Sequence, residues 1–572
     1  MSQRLTGMNP PDRFYKRFVN GCVQDLNWPR LTTKITEALF QPRDEGLDLL
    51  MINAPIREWS QPNILPLGQS FIGAVAVMDG HRLHVLDLNA LRGHAIKDEP
   101  SVFDAWVESQ VSDYLSRQKP SVIGIGGIIT QYARIKKIAA ICKRAYPDVL
   151  IILGGGIATC MPSFMLRRMP IDIVVREEGE ITISELLERI EKKQPLDGIK
   201  GVVLKRQAPD GSVQIVDNGI REQIAGREMG LDALPWPLRS RWPEEDVYKH
   251  NPIGHLNWMN KWKDGASAEV GVYSLAVLAS RGCPYAVKAC DYCYTTYLGP
   301  KYRLRSPREV VNEMEALKSE YGLKYLHFLD DLLIANPKWA YEFFDELKQR
   351  RKSSGFEIEW GGTCRTNIIA TEVLKAQREG TATILERAYE VGMRQAGYGV
   401  ETGSPTILKS IDKSGQTVDS IRVAITETIR VLGYADCSFM IGSPGETRQT
   451  VLETVDLCKK IGLSPEVFFF TTAYPGTSFW TLALEKGLIA KSVTGLLGPA
   501  DEDMIEEYCL RLGEQGDAVR TNFSDLPDEE IVELSWWAVK ELGAQNVFRH
   551  PHTGDVESRT MPALKGAADA AL

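Results

Sequence analysis

The sequence predicts an α/β protein built from two parallel-sheet units in series, a doubly wound Rossmann-like domain and a partial (βα)6 barrel, followed by a helical C-terminal region. Three observations carry this. Short continuous apolar runs recur along the chain, amphipathic helical patterns fall between them, and the alternation breaks once, near the middle, in a stretch rich in Pro and Trp. Unbroken apolar strands separated by amphipathic helices are the pattern of parallel sheets covered on both faces. A chain of 572 residues is also too long for one core, and roughly three structural units are the ordinary expectation.

The elements follow in order. Residues 1–46 show no sustained pattern and are read as an N-terminal extension. Over 47–206 the expected strands are LDLLMINAP (47–55), HRLHVLDLN (81–89), PSVIGIGG (120–127), VLIILGGG (149–156) and IDIVV (171–175). Helices are expected in GQSFIGAVAVM, TQYARIKKIAAICKRAY and TISELLERIEK between them. A ligand of such a sheet lies beyond the C-terminal ends of its strands. Residues 207–271, with LPWPLRSRWPEEDVY, read as a linker.

Over 272–490 the strands are VYSLAVLAS (272–280), KYLHFLD (324–330), FEIEWGG (356–362), QAGYGVE (395–401), ADCSFMIG (435–442) and PEVFFFTTA (465–473). Six βα units make an open version of the parallel TIM-type barrel, with its chemistry at the C-terminal strand ends. Residues 491–572 read as helical (EDMIEEYCLRL, DEEIVELSWWAVKELG) and are expected to cap this second unit.

Composition removes several function classes. The balance of 44% hydrophobic and 25% charged residues is that of a globular protein. A net charge of −8 gives no basic footprint, so nucleic acid is not an expected partner. No apolar run approaches the roughly 20 residues that span a bilayer, and the N-terminus lacks a secretory apolar core. Ten scattered cysteines argue against a disulfide scaffold and for a reducing, cytoplasmic setting.

The sharpest chemistry lies in ASRGCPYAVKACDYCYTTY, where Cys283, Cys290 and Cys293 directly follow the first strand of the second unit. Three thiolates are soft ligands suited to an iron–sulfur cluster, and on a [4Fe–4S] cluster they leave one iron open. A structural zinc site competes, but it needs a fourth ligand, and neither Cys nor His occurs in the next 30 residues. Three unrelated thiols are the remaining reading.

The second unit resembles the radical S-adenosylmethionine (SAM) enzymes, in the large subgroup that carries an N-terminal cobalamin-binding domain and includes the class B methyltransferases. That family carries C-x3-C-x2-C after its first barrel strand, with an aromatic residue before the last Cys. Here Tyr292 fills the aromatic place, and the first gap holds six residues instead of three. Further matches lie far away, in HFLDD (327–331), GYGVETGSP (397–405), FMIGSPGET (439–447) and FFTTAYPGTSFW (469–480). Each alone is a Gly/Pro turn after a strand. Their order and spacing make the resemblance. It implies that Cys283, Cys290 and Cys293 hold the cluster and that Glu401, Gly397, Gly399 and Tyr292 contact SAM. Asp330 and Asp331 would bind SAM or substrate, unless one caps the following turn.

The first unit resembles the cobalamin-binding domain in PLGQSFIGAVAVMDGHRLHVLDLN, LGGGIAT and DIVVREEGE. Gly154, Gly155 and Gly156 end a strand without side chains, which admits a large planar ligand or its nucleotide tail. Ser121, Thr130 and Thr159 are candidate hydrogen-bonding groups, or else helix caps. Where D-x-H-x-x-G supplies a lower ligand to cobalt, DLNALRG (87–93) has Asn89 in the His place; many members of the subgroup likewise lack the His, so the resemblance implies a cobalt without that lower ligand. His81, His84 and His94 are read as surface or loop residues.

The implied activity is reductive cleavage of SAM to a 5′-deoxyadenosyl radical, with an external electron donor such as flavodoxin or ferredoxin. Methylation of an unactivated carbon, or phosphorus, of a small molecule or natural product would follow, with cobalamin carrying the methyl group. Cyclisation or ring rearrangement without methyl transfer is the first alternative, and a non-catalytic cobalamin sensor or carrier the second. Trp236, Trp242, Trp258, Trp262, Tyr294 and Tyr297 are candidates to line an entrance. Cys364 and Cys437 are read as buried small hydrophobes that can also face the barrel cavity.

Overall fold

The structure is a computed structural model that describes residues 42–56, 64–92, 100–208, 210, 212–224, 230–242, 248, 274–294, 299, 301–465, 467–513 and 519–543. Most of the N-terminal extension lies outside these residues, as do Gly93, His94, Trp258, Trp262 and Tyr297.

The first domain runs β1 (Asp48–Asn53), α1 (Leu67–Met78), β2 (Arg82–Asp87), α2 (Pro100–Arg117), β3 (Val122–Gly126), α3 (Tyr132–Ala145), β4 (Leu150–Gly154), α4 (Gly156–Cys160), α5 (Pro162–Arg168), β5 (Ile173–Val175) and α6 (Glu180–Glu191). All five expected strands are present and parallel, in the order β2-β1-β3-β4-β5. The sheet then continues through β6 (Val202–Gln207) and β7 (Val213–Asp217), paired antiparallel. The boundary expected at 206 therefore cuts through β6, and the first part of the expected linker belongs to this sheet. Sequence periodicity missed β7 because its side chains are half-buried or exposed, with no apolar run to mark it.

Alternate strand residues feed two cores. Leu50, Ile52, Ile123 and Ile151 pack with α2 and α3, while Leu49, Met51, Val122 and Ile152 pack with α1 and α6. The strand order reverses between β1 and β3, so their C-terminal ends diverge into a crevice.

The second domain is an open six-stranded parallel sheet: β8 (Ser274–Val277), β11 (Tyr325–Phe328), β12 (Glu359–Cys364), β13 (Met393–Glu401), β14 (Asp436–Ile441) and β15 (Phe468–Phe470). A short antiparallel pair, β9 (Ser280–Arg281) and β10 (Arg303–Leu304), brackets the cysteine loop. The crossover helices are α7 (Pro307–Tyr321), α8 (Pro337–Ser354), α9 (Thr366–Glu379), α10 (Ile384–Glu390), α11 (Pro405–Ser410), α12 (Val418–Leu432) and α13 (Arg448–Ile461). Local chemistry sets their ends. Ser306 caps α7 and Pro307 starts it, and Gly322 ends it in the left-handed region. Leu326, Phe328, Trp360, Tyr398, Val400 and Phe439 point outward into the helix layer. The intervening residues face the lumen.

After β15 come α14 (Ser478–Glu485), α15 (Leu488–Thr494), α16 (Glu502–Arg511) and α17 (Asp528–Glu541). The expected cap is divided. Helix α17 packs on α13, and Ile531 and Leu534 enter the barrel core. Helix α16 instead packs on α3 of the first domain, where Glu506 accepts from the Tyr132 hydroxyl at 3.0 Å and pairs with Lys136 and Arg168. The two domains are thus tied together at the C-terminal end of the chain.

Candidate functional site

The cysteine loop leaves β9 at the C-terminal mouth of the barrel. The unusual gap between Cys283 and Cys290 forms one 3₁₀ turn, Ala286–Lys288, closed by the Ala286 N–H on the Cys283 carbonyl at 2.9 Å. Tyr285 anchors it. The Arg365 guanidinium lies over the Tyr285 ring at 3.8 Å, and Asn367 donates to its hydroxyl at 2.9 Å. The extra residues are therefore packed against the start of α9, while Val287 stands exposed. Arg365 also directs Nη1 at the Cys290 sulfur, 4.0 Å away, which places a cation where a thiolate would need one. Burial pushes the Cys283 thiol up. Among the described residues no three Cys, His, Asp or Glu side chains are gathered closely enough to hold a single ion. Thiolates on a four-iron cluster each take a different iron and so stand further apart.

Glu401 ends β13 at a register irregularity, with φ at +65°. Such a bulge re-aims the side chain that follows it. Its carboxylate, buried with Lys413, accepts from the Lys413 ammonium at 2.5 Å and the Tyr292 hydroxyl at 2.9 Å. Lys413 also donates to the Tyr292 oxygen at 2.9 Å. Burial, then the neighbouring Glu401 charge, holds the Tyr292 phenol well above its ordinary range. Gly399, expected to contact SAM, also has a structural purpose. A Cβ there would collide with the Glu401 carboxylate and come 2.8 Å from the Lys413 ammonium, so the glycine makes room for the ion pair. Lys413 was missed by sequence reasoning because it lies 12 residues beyond Glu401, in the turn Asp412–Gly415, where nothing in the sequence marks a lysine as the partner of a strand-end carboxylate.

Asp330 does not face the site. One carboxylate oxygen accepts the Ala279 N–H at 3.0 Å and the other the Ser280 hydroxyl, fixing the end of β8. Asp331, its neighbour, lines the cavity instead. Burial raises each to about 6.

That cavity, of about 430 Å³, is built from both domains. Leu49, Met51, Phe71, Ile72 and Ile152 line its first-domain part, with the backbone of Gly126 and of Gly154 to Gly156. Leu278, Ser280, Arg281, Leu329 and Asp331 line its barrel part. Gly155 adopts φ +84°, and a Cβ there would meet the Gly127 carbonyl oxygen at 2.6 Å. At Gly154 and Gly156 the space is open instead, with nothing nearer than Tyr294 at 3.7 Å. The domains are joined at its edge by charge. Arg281 pairs with Glu178 at 3.0 Å and Glu180 at 2.5 Å, and Arg303 with Glu178 at 2.7 Å. Burial would raise Glu178, but the two guanidinium groups outweigh it and hold the carboxyl below its usual range. The acidic run EEGE was the signal for this clamp.

Three expected hydrogen-bonding groups fall outside the cavity lining. Ser121 stands at the opposite edge of the sheet, before β3, where its hydroxyl accepts from the Asp48 N–H at 3.3 Å. Thr130 lies in the turn after β3, beside the lining residues Ile128 and Gln131. Thr159 accepts the Glu177 N–H at 2.9 Å and so fixes the turn that begins EEGE. Gln69 and Gln131 were missed. They reach the strand ends, donating to the carbonyls of Gly126 at 3.0 Å and Ala54 at 2.7 Å.

Asn89, in the place of a ligating His, is buried and engaged. It accepts from the Ile56 N–H at 3.1 Å and donates to the Tyr248 hydroxyl at 3.4 Å. Tyr248 in turn donates to Asp87 at 2.7 Å. His81 is a buried residue rather than a surface one, accepting the Leu47 N–H at 3.2 Å. Trp242 and Cys364 are core residues, while Trp236 and Cys437 are half-buried.

Comparison with known proteins agrees with this geometry. The B12 binding domain model matches residues 60–187 and the radical SAM superfamily model residues 277–481. An uncharacterized methyltransferase of Pyrococcus horikoshii is 29% identical over 434 residues, 74% of this chain and 83% of its own. The cytidylyl-2-hydroxyethylphosphonate methyltransferase of Streptomyces wedmorensis is 25% identical over 456 residues, 74% of this chain and 78% of its own. The radical SAM methyltransferase TsrM of Kitasatospora setae, solved with cobalamin and a [4Fe–4S] cluster, shares the fold at a TM-score of 0.60 and 18% identity, over 87% of this chain and 89% of its own. With both domain models matched in order and one cavity built between the matched regions, the chain belongs to the cobalamin-dependent radical SAM enzymes.

Proposed function

We propose that the chain methylates an unactivated carbon, or a phosphorus, of a small-molecule substrate, using a [4Fe–4S] cluster, SAM and cobalamin. One cavity, lined by the glycine strand ends of the first domain and by the segments after β8 and β11 at the barrel mouth, carries this reading. A methyl carrier and a substrate radical must meet within one enclosed space, and both domains line it.

The donor sets fit the groups. Three cysteines on one loop at the mouth, none of them in a disulfide and one with a guanidinium directed at its sulfur, suit an iron–sulfur cluster. The open faces of Gly154 and Gly156 suit a broad ligand lying against backbone. When bound, the cluster supplies the electron that breaks a carbon–sulfur bond of SAM, and the cobalamin supplies a methyl group. The chain's own part is positioning and exclusion. Glu401 and Lys413 offer opposite charges at the mouth, so a molecule carrying both an ammonium and a carboxylate, as SAM does, meets a partner for each. Tyr292 holds that pair in place through its hydroxyl. The Arg281–Glu178–Glu180 clamp keeps the two walls of the cavity together and limits water entry from that edge.

An external one-electron donor of the flavodoxin or ferredoxin class is part of the proposal, and so is a reducing, cytoplasmic compartment. No helix among the described residues is long and apolar enough to cross a membrane.

The test is anaerobic purification with iron and cobalt analysis, followed by SAM cleavage with dithionite. About four irons and one cobalt per chain, with 5′-deoxyadenosine formed, are expected. Cys290→Ala should lose iron and cleavage together. Cleavage without cobalt uptake would remove cobalamin from the reading. Zinc in place of iron, with SAM intact, would overturn it.

A further inference from the structure

The barrel lumen carries a polar floor that neither the cluster loop nor the Glu401 pair uses. Strand register sets its layers. His327, Gly361 and Gln395 share one layer, and Thr363, Gly397 and Asp436 share the next one toward the mouth. Two of these are glycines, so the β12–β13 wall is bare. The Tyr325 hydroxyl and the Gln395 side chain lean into the space over Gly361, where a Cβ would meet Gln395 Oε1 at 2.6 Å.

Gln395 is the informative residue. It is 4% exposed, and its Nε2 donates to Asp436 Oδ2 at 3.2 Å. That bond fixes the amide, since turning it over would set oxygen against carboxylate. Its Oε1 is then buried with no hydrogen-bond partner among the described residues. Buried acceptors are nearly always satisfied, and an orphan set against the side-chain-free wall at Gly361 points to a donor supplied from outside.

The charge of the lumen says which donor. Asp436 is a carboxylate on a lumen-facing position, in register with Gly397, and Asp331 lines the cavity at the mouth. His327 is half-buried, with Nδ1 3.3 Å from the Tyr325 oxygen, and burial pushes it down to about 4, so it adds no positive charge near neutral pH. From the layer of Tyr325 to that of Gly397, the inward positions of β11–β14 carry no Lys or Arg, and the cations that border them, Arg394 and Lys413, are paired with Glu359 and Glu401.

We propose that this floor receives a nitrogen cation of the substrate, an ammonium or amidinium, donating to Gln395 Oε1 and to Asp436. The proposal rests on the reading of the barrel lumen as the substrate site. A carboxylate or phosphate in the same place would face Asp436 and an oxygen that cannot donate.

The test compares three probes of one shape on the anaerobic full-length holoprotein by isothermal titration: n-butylammonium, n-butanol and n-butyrate. The ammonium should bind at least about tenfold more tightly than the alcohol, and butyrate should not saturate. Gln395→Met and Asp436→Asn should each weaken the ammonium by about tenfold, the loss of one charge-assisted hydrogen bond. Iron content and dithionite-driven SAM cleavage, measured on the same samples, show whether each variant is folded and loaded. If a variant fails that check, the probe preference of the unmodified protein still decides. Equal binding of the three probes, or ammonium binding that survives both substitutions, overturns the floor while leaving the radical SAM reading intact. Absence of SAM cleavage in the unmodified protein overturns that reading instead.

Discussion

The two sheets end in opposite ways at the C-terminal edges of their parallel strands. At the C-terminal edge of the first sheet the backbone is bare, at Gly126 and Gly154 to Gly156, and the surroundings are Leu49, Met51, Phe71 and Ile152. The polar groups near that edge, Asn53, Asp87, Asn89 and Tyr248, are spent on one another. At the barrel mouth the edge is filled with charge: Glu401 on Lys413, and Arg365 over Tyr285. A broad ligand with little net charge is recognised by shape, which needs surface without side chains. A small charged one is recognised by preorganised charges, which need buried partners to stay put.

The largest effect should come from breaking the barrel's buried pair. Lys413→Met leaves the Glu401 carboxylate buried and unpaired, a loss of about 3–5 kcal/mol in stability. Adding Glu401→Leu should recover most of it, since a buried pair replaced by apolar groups is close to neutral. Neither protein should cleave SAM. Denaturant midpoints of the two variants measure the first part. A double variant no more stable than the single one would show that Lys413 acts through something other than Glu401.

On the first sheet the corresponding weak point is conformational. Gly155 combines φ +84° and ψ −167° with the Gly127 carbonyl against it. Gly155→Ala should cost about 3 kcal/mol, as a side chain is strained there before any collision is counted. It should also lose cobalt, because the turn from β4 into α4 forms the cavity wall. Thermal unfolding with cobalt analysis checks both. A stable variant that keeps cobalt would break the contrast between a wall of backbone and a wall of charge.

Much of this was legible in the sequence, and the reasons differ by region. Every parallel strand of both sheets was visible, because each falls in a short, mainly apolar or small-residue run between helical patterns. Strands β6 and β7 blurred into the linker, since an antiparallel edge pair leaves one strand largely exposed. The cysteine trio, Tyr292, Glu401 and the Gly154–Gly156 run were found through spacing and strand-end position. Lys413, Gln395 and the EEGE clamp were not, because their roles depend on pairing across 12 to 125 residues of sequence. Asp330 and Asp331 show the limit most directly. Adjacent and chemically identical, they face opposite ways, and only the strand register decides which one reaches the cavity.

Titration gives a smaller effect with a fixed sign. Glu446, in the turn after β14, accepts from Thr450 at 2.8 Å through one oxygen, while the other has no partner. Burial raises it from 4.5 to about 7. A raised carboxyl means that the folded chain keeps a proton the unfolded chain has released. Its contribution is therefore most favourable below the unfolded value and is lost as pH rises from about 4.5 to about 7. Asp330 and Asp331, raised to about 6, act with the same sign from about 4 to 6. Glu446→Gln should flatten the profile and add at most about 3 kcal/mol at pH 7.5 relative to the unmodified chain, given about 1.4 kcal/mol per pKa unit. Chemical denaturation at pH 5 and pH 7.5 reads this directly. An unchanged slope would assign the pH dependence to groups other than Glu446.

The smallest expected stability change is the most discriminating for ligand binding. Gly154 has nothing within 4 Å of a Cβ built on it, so Gly154→Ala meets no collision. Its methyl group would project into the space that Gly155 and Gly156 border. Stability should move by less than about 0.5 kcal/mol, the range of an unstrained substitution. Cobalamin retention should fall severalfold, because shape recognition tolerates an added methyl poorly where a flat ligand lies on backbone. Gly154→Ala and Gly155→Ala thus separate the two uses of neighbouring glycines, one to let a ligand approach and one to let the chain turn. If the Gly154 variant retains cobalt as well as the unmodified chain, the ligand does not touch the end of β4. Recognition on the first sheet would then have to come from the apolar wall of α1 and β1 rather than from the bare strand end.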